Sequence, residues 1–131
     1  LGQVTAHGDG RDLAIVSYAN GMHLSLQAQK RLAAQGITAR VIDLHWLNPL
    51  PEEALVAAIG DAERVLIVDE TRRTGGLAEA LMALLAERTD KPVARHVAAD
   101  SFIPTGPAYA ATMPSVDSIL AAATALLGGR A

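Results

Sequence analysis

The chain has 131 residues, half of them hydrophobic but only 3% aromatic, and a formal charge of −3. That length fits one domain, residues 1–131, able to bury a core between a sheet and covering helices, built from Ala, Val, Leu and Ile. The mild negative charge gives no basic field for nucleic acid, the lack of cysteine excludes disulfides and Cys-ligated zinc, and no apolar run approaches the roughly 20 residues of a membrane span. LGQVTAHGDG has neither the charge nor the apolar block of a signal peptide, so a cytoplasmic location is expected. A start at Leu1 rather than Met leads us to expect a fragment of a longer polypeptide.

Gln3 to His7 reads as a short edge strand or lead-in arm, ended by the turn His7-Gly8-Asp9-Gly10. Leu13 to Ala19 is an apolar run without alternation, as expected of a central strand covered on both faces. Asn20-Gly21 opens a helix to about Gln35 with Leu24, Ala28 and Leu32 on one face, and Gly36 ends it. Ile37 to Leu44 is the next strand. The connection from His45 to Pro51 carries two prolines and packs Trp46, Leu47 and Leu50, with Trp46 either a core filler or a partner anchor. Pro51 suits the first turn of a short helix burying Leu55, Ala58 and Ile59, closed by Gly60-Asp61.

Val65 to Val68 is a strand leading through Asp69, Glu70, Arg72 and Arg73 to the turn Thr74-Gly75-Gly76. A helix follows with Leu77, Leu81, Leu84 and Leu85 on its apolar face. Pro92 to Ala98 reads as an edge strand with one partly wet face. Asp100 to Pro114 has too much proline for a helix, and Ser115 N-caps a last helix bearing Val116, Ile119, Leu120, Ala123, Leu126 and Leu127, stopped by Gly128-Gly129.

Strands alternating with helices imply a three-layer α/β/α fold with a mostly parallel sheet. Ligand sites in such sheets lie beyond the carboxyl ends of the strands, where strand order reverses. Here that crevice falls between Asn20-Gly21 and Glu70 to Gly76. The Thr74-Gly75-Gly76 turn lacks the spacing of a dinucleotide or P-loop cradle, so a packing or interface turn is favoured. Asp69 and Glu70 are neighbours on a strand and do not converge; solvated or salt-bridged acids beside Arg72 and Arg73 are favoured over a general base or magnesium pair. A response-regulator receiver would need acids after its first parallel strand, where this chain has Ser17-Tyr18-Ala19-Asn20. Histidines 7, 23, 45 and 96 share neither metal-ligand spacing nor a nucleophile motif.

Four ordered segments carry a resemblance: Val16-Ser17-Tyr18 with Gly21, Val41-Ile42-Asp43-Leu44 leading to Asn48-Pro49-Leu50, Val68-Asp69-Glu70 with Thr74-Gly75-Gly76, and Asp100-Ser101-Phe102-Ile103-Pro104. Together they resemble the C-terminal domain of transketolase-like thiamine-diphosphate enzymes, above all the beta-subunit half of 2-oxoacid dehydrogenase first components. The resemblance implies a five-stranded mixed sheet whose first edge strand, Gln3 to His7, is antiparallel. It implies a parent that binds thiamine diphosphate and magnesium in other domains, decarboxylates a 2-oxoacid and passes the acyl group to a lipoyl arm. No cofactor, metal or catalytic residue is then expected in this domain.

Expected partners are the remaining cofactor-binding domains, a homodimer or alpha/beta heterotetramer, and the dihydrolipoyl acyltransferase. Contact candidates are Asn20, Gly21, Glu70, Thr74, Gly75, Gly76, Phe102, Ile103 and Pro104. Gly8-Asp9-Gly10 imitates the first letters of the family's diphosphate motif, but no metal-ligand asparagines follow it. Many beta-subunit relatives carry arginine where this chain has His45. The alternatives are the same domain from a transketolase or deoxyxylulose-phosphate synthase, or a stand-alone regulatory module binding an anion through the amides of Gly21, Gly75 and Gly76.

Overall fold

Five consecutive buried residues, Leu13–Ser17, form the central strand, and the rest of the molecule is layered on its two faces. The structure is a computed structural model that describes residues 2–100 and 112–128. In chain order its elements are β1 (Val4–His7), β2 (Leu13–Ser17), α1 (Asn20–Ala34), β3 (Ala39–Leu44), α2 (Glu52–Ile59), β4 (Val65–Arg72), α3 (Leu77–Arg88), β5 (Val93–Ala98) and α4 (Val116–Leu126). The sheet order is β1-β3-β2-β4-β5, with β1 antiparallel to β3 and every other pairing parallel.

Alternation along the strands sorts the core into two halves. Leu13, Ile15, Leu66 and Val68 face Ala28 and Leu32 of α1 and Ile119 and Ala123 of α4. Ala14, Val16, Val65 and Ile67 face Leu55 and Ile59 of α2 and Leu81 and Leu85 of α3. Because both faces are covered, the central strands need continuous apolar runs, and that is how LAIVS and VLIV read.

Several elements differ from the sequence expectation, β2 among them, which ends at Ser17 and not at Ala19. β3 begins at Ala39, because the Ile37 amide donates to the Leu32 carbonyl and is spent closing α1. Pro51 precedes α2 instead of entering its first turn. On α3 the first buried residue is Ala78, with Leu77 only half-buried. β4 runs on to Arg72, with a register irregularity against β5 between Asp69 and Arg72.

The reading of Ser115 holds in detail. Its hydroxyl accepts from the Ser118 amide at 3.1 Å, while Ser118 Oγ accepts from the Ser115 amide at 2.8 Å. Phe102, Ile103 and Pro104 lie outside the described residues.

Candidate functional site at the strand-order reversal

Chain order reverses between β2 and β4, so the carboxyl ends of these strands form the crevice where doubly wound sheets take their ligands. Here the crevice is bridged by the protein's own side chains. Ser17 Oγ donates to the Val68 carbonyl at 2.8 Å, Tyr18 Oη to Asp69 Oδ1 at 2.7 Å, and Asn20 Nδ2 to Glu70 Oε2 at 3.1 Å.

Asp69 is the centre of this arrangement, and its structure corrects the expectation of a solvated acid: it is 1% exposed. Its Oδ1 also accepts from the Thr71 amide at 2.9 Å, and its Oδ2 from Thr71 Oγ1 at 2.7 Å and the Ala78 amide at 3.0 Å. Ala78 lies in the first turn of α3, so the carboxylate occupies the anion seat at the positive end of that helix. Among the described residues no cation pairs with Asp69, and its burial is tolerated because four donors are spent on it. Burial first, and then the bond to Asp69, push the Tyr18 phenol well above its ordinary pKa, which keeps it a donor.

The turn after β4 is held at both sides. Asp100 accepts from the Thr74 amide at 2.9 Å and from Thr74 Oγ1 at 2.5 Å, and Arg95 Nη1 donates to the Arg73 carbonyl at 2.9 Å. The bond from the Thr74 hydroxyl, then that from its amide, holds the Asp100 carboxyl below its usual range.

The glycines here serve different needs. A Cβ on Gly21 would lie 2.3 Å from Ser17 Oγ, and one on Gly76 would lie 2.4 Å from Thr71 Oγ1 and 2.5 Å from the Arg72 carbonyl oxygen. Both are bare for internal reasons. Gly75, at φ +74° with nothing within 4 Å of its Cβ position, is the one whose bareness faces outward.

These facts bear on the anion and cofactor readings. The Ala78 and Thr74 amides already serve Asp69 and Asp100, and an anion on the amides of Gly21, Gly75 and Gly76 would meet the negative charge of Glu70 in the same crevice. The described residues do not fit a diphosphate, and among them no group of three or more His, Asp or Glu could hold a metal ion. Beside Glu70 a cavity of about 150 Å³ opens, lined by Asn20, Leu24, Glu70 and the run from Met113 to Val116.

The remaining sequence candidates are dispersed. His45 Nε2 lies 2.6 Å from Thr5 Oγ1, with its Nδ1 3.9 Å from Asp43, while His96 Nε2 lies 2.8 Å from Ser118 Oγ. Trp46 is 44% exposed, its indole N–H donating to the Asn48 carbonyl, so it is not a core filler; Leu47 and Leu50 pack against the core instead. Sequence reasoning missed Tyr18 and Thr71 as partners of Asp69. The signal for Thr71 was present, because aspartate followed two residues later by threonine suits a local turn in which the carboxylate takes the i+2 amide.

The family model described as "Transketolase, C-terminal domain" matches residues 2–119. The chain belongs to the transketolase C-terminal domain family. Across 97% of its length this transketolase-type domain is 30% identical to the pyruvate dehydrogenase E1 component subunit beta of Bacillus subtilis, covering 40% of that protein. Across 86% of its length it is 33% identical to the 2-oxoisovalerate dehydrogenase subunit beta of the same organism, covering 35% of it.

Among solved structures it is similar to a protein described as a split gene transketolase, inactive beta4 tetramer, with a TM-score of 0.87 and 29% identity. That match covers 99% of this chain and 44% of the other. A 2-oxoglutarate:ferredoxin oxidoreductase from Magnetococcus marinus shares the fold, with a TM-score of 0.70 at 14% identity. The chain thus spans less than half the length of each of these relatives.

Proposed function

We propose that this domain is the association and scaffold part of a thiamine-diphosphate-dependent 2-oxoacid dehydrogenase first component, a beta-subunit-type C-terminal domain without chemistry of its own. The observation that supports this most is the bridged crevice. Its helix-terminal seat is filled by Asp69, so the place where this architecture would take a ligand serves to brace the strands and fix the turn beyond them. That turn, Thr71 to Gly75, is exposed throughout and anchored at both sides, as a contact surface should be. We take Asn20, Gly21 and Gly76 as residues that shape this surface, and Thr74 and Gly75 as residues that touch a partner, whether a second copy, an alpha subunit or the acyltransferase.

The parent would supply the cofactor, magnesium and catalytic groups from its other domains. Calorimetric titration of this chain with thiamine diphosphate and magnesium is expected to give no saturable heat, and micromolar binding would overturn the reading. The likeness to a split gene transketolase favours a second reading, in which the parent transfers a two-carbon ketol group. Assaying the parent enzyme with lipoamide and with ketose–aldose pairs separates the two.

A further inference from the structure

The cavity beside Glu70 is not used by the braced crevice, and its chemistry is specific. It lies between the first turn of α1, the end of β4 and the entry to α4, with Leu24, Met113, Pro114 and Val116 as apolar walls. Among the described residues that line it, Glu70 is the only charged one. Asn20 spends its Nδ2 on Glu70 Oε2, and among the described residues Oε1 accepts no hydrogen bond. The Ser115 hydroxyl is already committed to Ser118.

Two helices, α1 and α4, begin at this cavity, which on its own would favour an anion, but Glu70 already supplies that negative charge. A second anion would meet it at short range. What remains is a carboxylate oxygen in a small cavity with largely apolar walls. Such a lining suits a cation carried on a short alkyl stem, the stem against Leu24 and Val116 and the head at Glu70. A volume of about 150 Å³ accommodates one such chain.

We propose that this cavity is a receptor site for a single basic side chain, lysine or arginine, presented by a partner polypeptide. The choice of a polypeptide source rests on the association role proposed above, and charge complementarity sets the partner's chemistry.

The test is amide NMR titration of the whole chain with N-acetyl-lysine methylamide, N-acetyl-arginine methylamide, n-butylammonium and butyrate. The expected result is saturable millimolar shifts confined to Asn20, Leu24, Glu70 and Val116 with the three cations, strongest for the two amino-acid amides. In Glu70→Gln the affinity should fall by about tenfold or more, with the spectrum otherwise unchanged. Butyrate binding as well as the cations, shifts spread over all surface acids, or no localised shift in the millimolar range would each overturn the proposal. Preference for free n-butylammonium over the amino-acid amides would replace the polypeptide by a free amine. None of these outcomes touches the cofactor titration, so the two ideas fail separately.

Discussion

The two ends of the sheet solve one problem with opposite charges. At the amino end Arg40, 9% exposed, donates to the carbonyls of Asp9, Gly10, Ala58 and Ile59 and to Asp61 Oδ1 at 2.6 Å. It thus caps the carboxyl end of α2 and ties down the β1–β2 turn. At the carboxyl end Asp69 gathers Tyr18, Thr71 and the start of α3. The backbone differs in a telling way. Gly60, beside Arg40, has φ 48° and ψ −121°, and Ala19, between Tyr18 and Asn20, has φ 51° and ψ −131°. The same glycine-type conformation is relaxed at one end and strained at the other. Such strain persists only where the surrounding structure over-determines it, and Ala19 sits between Tyr18 and Asn20, which bond to Asp69 and Glu70 across the crevice.

The largest break in this comparison should come from the two buried charges. Asp69→Ala leaves the Tyr18 hydroxyl, the Thr71 amide and hydroxyl and the Ala78 amide without their acceptor, and should cost about 3–5 kcal/mol in urea unfolding. Arg40→Met should cost about 2–3 kcal/mol. Its partner Asp61 is 59% exposed and rehydrates, and the methionine stem keeps the packing. Equal losses, or a larger one at Arg40, would mean that Asp69 is less committed than its four donors imply.

The backbone comparison gives the next effect and should change sign between the ends. Ala19→Gly removes the strained Cβ and should stabilise by about 1 kcal/mol, less the entropy a glycine adds to the unfolded chain. Gly60→Ala should destabilise by about 1–2 kcal/mol, because it imposes the same strain and brings a Cβ within 3.3 Å of Arg40 Nη1. Thermal unfolding of both variants checks this, and parallel shifts would show that Ala19 is not strained.

Much of this was legible in the residues. The strand and helix order followed from apolar periodicity, and a return of the chain with Val65 to Val68 on the other side of the Leu13 to Ala19 strand is what puts the crevice where the sheet order shows it. The antiparallel edge strand came from resemblance, since four residues with a mixed burial pattern carry no directional signal. The state of Asp69 was illegible for a physical reason. An acid beside Glu70 and two arginines reads as wet, and its burial is set by Tyr18, 51 positions away, and by a helix that starts eight residues later. The same limit hid Arg40, which looks like any strand arginine until α2 and the β1–β2 turn converge on it. Gly76 misled in the other direction: a bare turn suggested room for a partner, but Thr71 and the Arg72 carbonyl fill that space.

The smallest effect sets the carboxyl end against its own neighbour, α4. His96 on β5 is half-buried, and burial lowers its pKa below the ordinary value of 6.5. Its Nε2 meets Ser118 Oγ, which belongs to the cap of α4, so a proton on the ring would face the positive end of a helix. The other charges of α4's first turn do not help, because Asp117 is turned to Arg31 at 2.8 Å. Between the folded and unfolded pKa values the unfolded chain therefore holds more protons. Stability should be full above about pH 6.5 and decline as pH falls through that value towards the lower folded pKa. In His96→Gln, which keeps a polar partner for Ser118, the slope of unfolding free energy against pH in that window should flatten while the stability at pH 8 changes little. A slope that survives the substitution in this window would show that His96 does not carry it, because Asp100, whose carboxyl is held below its usual range, acts only at lower pH.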